Sequence, residues 1–370
     1  MKVIEIDRGK PLKDQPDRGH NRWHPDITPA LEVDQGEEVV LPTLDALDGQ
    51  LAPGSTIADF EGLSPGRIHP LTGPVYVKGA QPGDLLEVEF LDIEPQPWGF
   101  TGILPGLGFL RDLYTVPFLV HWTIADGWAT SPQLPGVRIR GASFMGTSGV
   151  APSRDEVEAW TRREQELLDR GGLVFPPDPV DAVPATGAGA TAGLRTIPPR
   201  ENGGNLDIKQ LTAGSKLLLP VSVDGALFST GDGHFAQGDG EVCVTAIEMG
   251  ATAHVRFQVL KGEAARRNVR APRFERSDYF AEPEWAAPRS FTATVGMPIA
   301  EDGTRNEGEN LTLACRNAVL AMIDLLQDRG WSSEQSYVIC SVAVDLRISN
   351  VVDVPNFVVS AILPEDIFVK

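Results

Sequence analysis

The sequence predicts a β-rich α+β protein assembled from many short strands and few helices. Three observations carry that expectation. First, the 370 residues include 38 glycines and 30 prolines, well above average usage of roughly 7% and 5%. Both residues penalise helix interiors, and the glycines follow no three-residue period of the collagen kind. Second, this surplus is interleaved with 42% hydrophobic residues, enough apolar surface to fold rather than stay disordered. Third, Leu85-Leu86-Glu87-Val88-Glu89-Phe90-Leu91 alternates with period two. Leu86, Val88 and Phe90 then share one face and the two glutamates the other.

Residues 1–60 read as an extended arm followed by short strands at Leu31–Val33 and Val39–Leu41, punctuated by Gly36 and Pro42. After a loop at 62–73, strands are expected at Pro74–Ala80 and Leu85–Ile93. They are joined by Gln81-Pro82-Gly83-Asp84, a turn in which proline fixes φ and glycine tolerates the left-handed region. A helix is predicted over Arg154–Arg170, where Ser153 can cap and Glu156 can complete a capping box before the Gly171-Gly172 stop. Its many charges make it a surface helix. Residues 176–200, rich in Pro, Ala and Gly, read as a long loop, and strands resume at Lys216–Val223 and Glu241–Glu248. The Gly262–Pro288 stretch, dense in Arg, Glu and aromatics, reads as a surface loop.

A second helix is predicted over Leu311–Arg329, where Leu311, Ala314, Ala318, Met322, Leu325 and Leu326 fall at helical spacing before Gly330. Tyr337–Leu346 and Phe357–Leu363 close the chain as strands. The chain thus divides into a β-rich part at 1–255, with a helical and loop insertion at 150–200, and an α+β part at 256–370. Gly36-x4-Leu41-Pro42 recurs as Gly214-x4-Leu219-Pro220, and the run from Pro82-Gly83-Asp84 to Ile93-Glu94 resembles that from Gly238-Asp239 to Ile247-Glu248. These echoes raise the expectation of a duplicated β unit.

Acidic residues outnumber basic ones by 51 to 32, for a formal charge of -19. That field repels phosphate backbones and anionic membranes, which excludes nucleic acid and membrane partners and favours a small neutral molecule or a cation. Three cysteines are too few for a disulfide framework and suit a reducing compartment. The N-terminal stretch MKVIEIDRGKPLKDQ lacks an apolar leader segment, and no run reaches the roughly 18 apolar residues of a membrane span. The expected location is cytoplasmic.

The densest polar cluster is Gly203-Gly204-Asn205-Leu206-Asp207-Ile208-Lys209, followed by the tract Gly231–Glu241. Asp207, Asp232, His234 and Glu241 offer the oxygen and nitrogen ligands that zinc accepts, and calcium suits the carboxylates. An open site of this kind lowers the pKa of bound water to about 7. If the chain is extended there, Asp232 and His234 point to one face. The same Gly-Asp-Gly tracts also occur as simple turns with their acids on solvent.

His20 and His24 have helical metal spacing, but Gly19 and Pro25 argue for a loop. His69, His121 and His254 are isolated and read as structural. Cys243 and Cys315 sit in apolar patterns where an inert thiol is expected. No Gly-x-Ser-x-Gly elbow, Walker loop or GxGxxG is present.

Seven stretches together resemble the acetamidase/formamidase family, and most closely its formamidase branch. They are Gly19–Ile27, Gly73–Asp84, Gly99–Asp112, Gly146–Pro152, Gly203–Lys209, Gly231–Glu248 and Ile339–Phe368. They occur in order over nearly the whole chain. The family is distinct from the Ser-Ser-Lys amidases and the Cys-Glu-Lys nitrilases. The resemblance implies a jelly-roll-like β-sandwich with a smaller α+β part, a homo-oligomer, and hydrolysis of a short neutral amide, formamide to formate and ammonia. It also implies a divalent metal, zinc or calcium, near Asp207, Asp232 and His234. An amide carbon is a poor electrophile, so its hydrolysis needs a polarised carbonyl and an activated water. Glu241 is the expected proton shuttle, and Lys209 the expected orienting or oxyanion-stabilising group. The alternatives are another small-amide hydrolase such as an acetamidase, or a non-catalytic jelly-roll binding protein. A cupin-like oxygenase would need a His-x-His pair, and His234 is followed by Phe235-Ala236.

Overall fold

The computed structural model of the chain describes residues 1–279 and 290–369. Two large sheets dominate. One has six strands in the order Lys2–Val3, Glu38–Pro42, Ala251–Leu260, Leu85–Pro95, Ser215–Pro220, Arg273–Arg276. Alternation explains its faces. Leu86, Val88 and Phe90 point inward with Val255 and Phe257, while Glu87 and Glu89 point out to Lys216 at 2.8 Å and Arg256 at 3.1 Å. The expected Gln81–Asp84 turn forms, with Asp84 N donating to the Gln81 carbonyl at 3.0 Å.

The second sheet has eleven strands. Its central path runs Phe118–Ala125, Trp98–Ile103, Glu248–Met249, Phe228–His234, Phe144–Gly149, Gly203–Asn205, and Leu71–Val77 joins it against Phe228–His234. The inner faces of the two sheets share one core, marked by Phe228 against Phe257 with ring centroids 5.3 Å apart. This is the expected β-sandwich. The two copies of the first sequence echo form the strands that flank the central pair of the six-stranded sheet. The second echo pairs a strand with a loop.

The smaller α+β part is a three-stranded sheet, Phe291–Gly296, Val358–Pro364 and Asp345–Asn350, covered by the helix Leu311–Asp328. That helix is capped by Asn310, and the surface helix Arg154–Asp169 carries the expected Ser153–Glu156 capping box. The expected boundary at 255 falls inside the strand Ala251–Leu260. Among the described residues no helix is long and apolar enough to cross a membrane.

Three expectations are corrected. Tyr337–Leu346 is not a strand, because Ser333–Ala343 is a helix with a Ser332–Gln335 capping box and the next strand starts at Asp345. Residues Ser336–Val342 are buried all round, so packing overrides their β-branched preference. Glu241–Glu248 is a loop up to Glu248, with positive φ at Gly240, Glu241 and Val244. The Gly262–Pro288 stretch contains a short helix, Glu263–Arg267, and the edge strand Arg273–Arg276; its residues 280–288 lie outside the described residues.

Candidate active site

The strand Phe228–His234 is buried along its whole length between Phe144–Gly149, Leu71–Val77 and Glu248–Met249. Its glycine spacing follows from that confinement. A Cβ on Gly233 would lie 2.7 Å from the Ala251 Cβ and 2.9 Å from the Met249 carbonyl, so only glycine fits on that face. Asp232 and His234 sit beside one another on the other, at 2% and 1% exposure.

Around His234 the chain gathers four carboxylates. The imidazole Nε2 lies 3.0 Å from Glu248 Oε2, 3.3 Å from Asp232 Oδ1 and 3.8 Å from Glu241 Oε1. On the other side, Nδ1 is 3.9 Å from Asp207 Oδ1. Asp207, Asp232, His234 and Glu241, singled out in the sequence, therefore converge. Lys209 stands apart. It ion-pairs with Asp345 and lies 3.9 Å from Asp239, on a separate small cavity with Gln237 and Arg140.

Gln237 fixes the imidazole. Its Nε2 donates to the Asp207 carbonyl at 2.7 Å, so its Oε1 is left to accept from His234 Nδ1 at 3.0 Å. A proton on Nδ1 makes the neutral ring present its Nε2 lone pair to the carboxylates. Asp207 Oδ1, Asp232 Oδ1, His234 Nε2 and Glu248 Oε2 are all buried without a hydrogen-bond partner. Buried acceptors facing one another repel unless a positive charge lies between them. The donor atoms of Asp232, His234 and Glu248, and likewise those of Asp207, His234 and Glu241, fall within 4.8 Å of one another. Orphaned oxygens and one imidazole nitrogen at such spacing fit a divalent cation.

With only the protein's own charges present, the imidazole takes up the positive charge itself. Burial pushes the Glu241 carboxyl well above the usual carboxylate range, with Asp207 adding to it. Burial lifts Glu248 to about 7 and raises Asp207. For Asp232 burial works upward, but His69 and His234 outweigh it and hold the carboxyl below its ordinary value. Burial works against charge on His234, yet Glu248 and Asp232 overcome it and keep the imidazole well above its usual range.

The cluster opens onto a cavity of about 140 Å³, lined by Glu241, Glu248 and His69 together with apolar residues that include Leu47, Phe100, Leu104 and Phe175. Glu248 was not singled out in the sequence. Its signal was a lone acid between Ile247 and Met249 in an apolar run, which a buried strand cannot place on solvent. His69 and Gln237 left no sequence signal, since only long-range packing brings them to the site. Of the two thiols expected to be inert, Cys243 is free and buried, and Cys315 is free and only half-buried.

The family model described as "Acetamidase/Formamidase family" matches residues 5–370. Over 363 residues the chain is 38% identical to an acetamidase from Mycolicibacterium smegmatis, covering 91% of this chain and 88% of that protein. It is 33% identical to a formamidase from Methylophilus methylotrophus, covering 99% and 93%. Among solved structures, a γ-lactamase from Delftia acidovorans superposes with a TM-score of 0.93 at 35% identity, covering 100% of this chain and 93% of that one. An acetamidase from Bacillus halodurans superposes at 0.56 and 25% identity, covering 94% and 95%.

Proposed function

The chain belongs to the acetamidase/formamidase family and is a hydrolase of amides, and from that premise we propose that it cleaves short-chain amides, formamide to formate and ammonia, at the His234 cluster. The observation that carries the proposal is the set of buried, unpartnered donors around His234, opening on a cavity of about 140 Å³. That volume suits a substrate of a few heavy atoms, since one liquid water takes about 30 Å³.

In this reading Asp232, Glu248 and His234 Nε2 would hold a divalent cation, with Asp207 beside the imidazole and Gln237 keeping the His234 Nδ1–H turned away from the ion. One imidazole among carboxylates suits zinc, and calcium is the alternative. Such an ion supplies carbonyl polarisation and a more acidic water. Glu241, held well above the usual carboxylate range by burial and by Asp207, takes a proton from the attacking water and returns it to the departing nitrogen. The apolar wall excludes bulk water and receives the acyl group. Lys209 acts by holding the loop that carries Asp207, through Asp345. We further propose a cytoplasmic homo-oligomer, to be checked by light scattering.

The test is ammonia release from formamide, acetamide and propionamide by the purified protein, with metal quantified before and after chelation. Release from formamide is expected, with loss on chelation and recovery on adding zinc. One methyl in an apolar pocket changes specificity by only about 1–3 kcal/mol, so acetamide is expected to turn over as well. No release from any of the three would defeat the substrate proposal, and full activity in verified metal-free protein would defeat the metal.

A further inference from the structure

The polar side chains lining the cavity are Glu241, Glu248, His69, Asn205 and Thr245. An amide substrate brings N–H donors and one carbonyl acceptor, whose oxygen gains charge as water attacks. In the proposed reading Glu241 accepts the water proton and Glu248 faces the cation, so a hydrogen-bond donor beside the cation adds to the stabilisation of the carbonyl oxygen. Thr245 is committed, its hydroxyl donating to the Gly102 carbonyl at 2.9 Å. Asn205 Oδ1 accepts from the Thr147 hydroxyl at 2.8 Å, a bond that orients the amide and leaves its Nδ2 hydrogens outside it.

His69 is the other candidate donor. It is 9% exposed, its Nδ1 is buried without a hydrogen-bond partner, and it lines the cavity with both glutamates. Its backbone is clamped on both sides by one residue. His69 N donates to Thr196 Oγ1 at 2.6 Å, and Thr196 Oγ1 donates to the His69 carbonyl at 3.1 Å. A ring carried on a clamped backbone, with an uncommitted nitrogen, suits preorganised charge stabilisation.

We propose that His69 is a catalytic residue that donates a ring N–H to the substrate carbonyl oxygen and stabilises the oxyanion formed there. This is the role that sequence reasoning gave to Lys209, whose ammonium lies instead with Asp345 and Asp239. The inference rests on the amide-hydrolase reading.

The test compares acetamide with thioacetamide in wild type, His69→Leu and His69→Asn, because thiocarbonyl sulfur accepts hydrogen bonds poorly. Removing one oxyanion donor costs about 10²–10³ in kcat. His69→Leu is expected to lose that factor on acetamide and far less on thioacetamide, so the oxygen-to-sulfur ratio of kcat/KM collapses toward one. His69→Asn keeps a polar group but not the reach, and its ratio is expected to fall as well. A merely structural role would lower both substrates together. An unchanged ratio in whichever variant folds, checked by thermal melting, overturns the proposal. Wild-type protein that cleaves neither of these nor formamide overturns the amide reading instead.

Discussion

Gly146 is where a single methyl group separates a working site from a filled one. Its backbone lies outside the left-handed region, so any residue could adopt it. The constraint is space. A Cβ there would lie 2.6 Å from Asp207 Oδ1, 2.8 Å from Asp232 Oδ2 and 2.9 Å from His234 Cε1. Those neighbours are side-chain ends and can yield, but they are the groups gathered around His234. Gly146→Ala is therefore expected to fold and to lose about 10²-fold in kcat/KM, the scale of a 1 Å misplacement. Circular dichroism and steady-state kinetics check it, and near-wild-type turnover by a folded variant would count against the proposed site. At this scale the sequence was partly legible. Asp232-x-His234 was readable from strand alternation, although Asp232 itself sits in the left-handed region at φ 59°. His69 was not, because its role depends on packing across the sandwich.

Among the elements, the helix Ser333–Ala343 supports the loop behind the site. Tyr337 donates its hydroxyl hydrogen to the Val242 carbonyl and accepts from Leu110 N at 2.9 Å. Ser341 accepts from Cys243 N at 3.1 Å and donates to the Thr245 carbonyl at 2.7 Å. These bonds satisfy the buried backbone of the loop that carries Glu241 to Glu248, which has no sheet partner of its own. Tyr337→Phe leaves Leu110 N unpaired, a cost of about 1–3 kcal/mol, while the Val242 carbonyl keeps its bond from Phe109 N at 2.9 Å. A lower melting temperature and a several-fold fall in kcat are expected together; unchanged values of both would show that the loop stands without the helix. This pair of elements was also the hardest to read. The run Val242-Cys243-Val244-Thr245-Ala246-Ile247 looks like a strand, but positive φ at Glu241 and Val244 forbids one. Tyr337-Val338-Ile339-Cys340 looks like another, but burial on every side lets a helix win. The helices Arg154–Asp169 and Leu311–Asp328 were legible because caps, periodicity and stop signals are local.

At the scale of the molecule, the site draws on segments as far apart as His69, Gly146, Asp207, His234 and Glu248, so it exists only once the sandwich has closed. Four carboxylates meet one imidazole there, inside a chain already carrying -19. A cation that binds this set binds the folded state and not the unfolded chain, which turns affinity into stability. At zinc concentrations 100 times its dissociation constant the gain is about 2.7 kcal/mol. The chelated protein is therefore expected to melt at a lower temperature than the zinc-loaded protein, and the difference should vanish in His234→Ala. Acidification should shrink it too, because protons compete for the same oxygens and for the imidazole. Scanning calorimetry with elemental analysis reads all three arms. An equal rise in wild type and His234→Ala would mean that zinc stabilises some other part of the molecule, and no rise in wild type would mean that the cluster holds its charge with a proton on His234 Nε2 rather than with a cation.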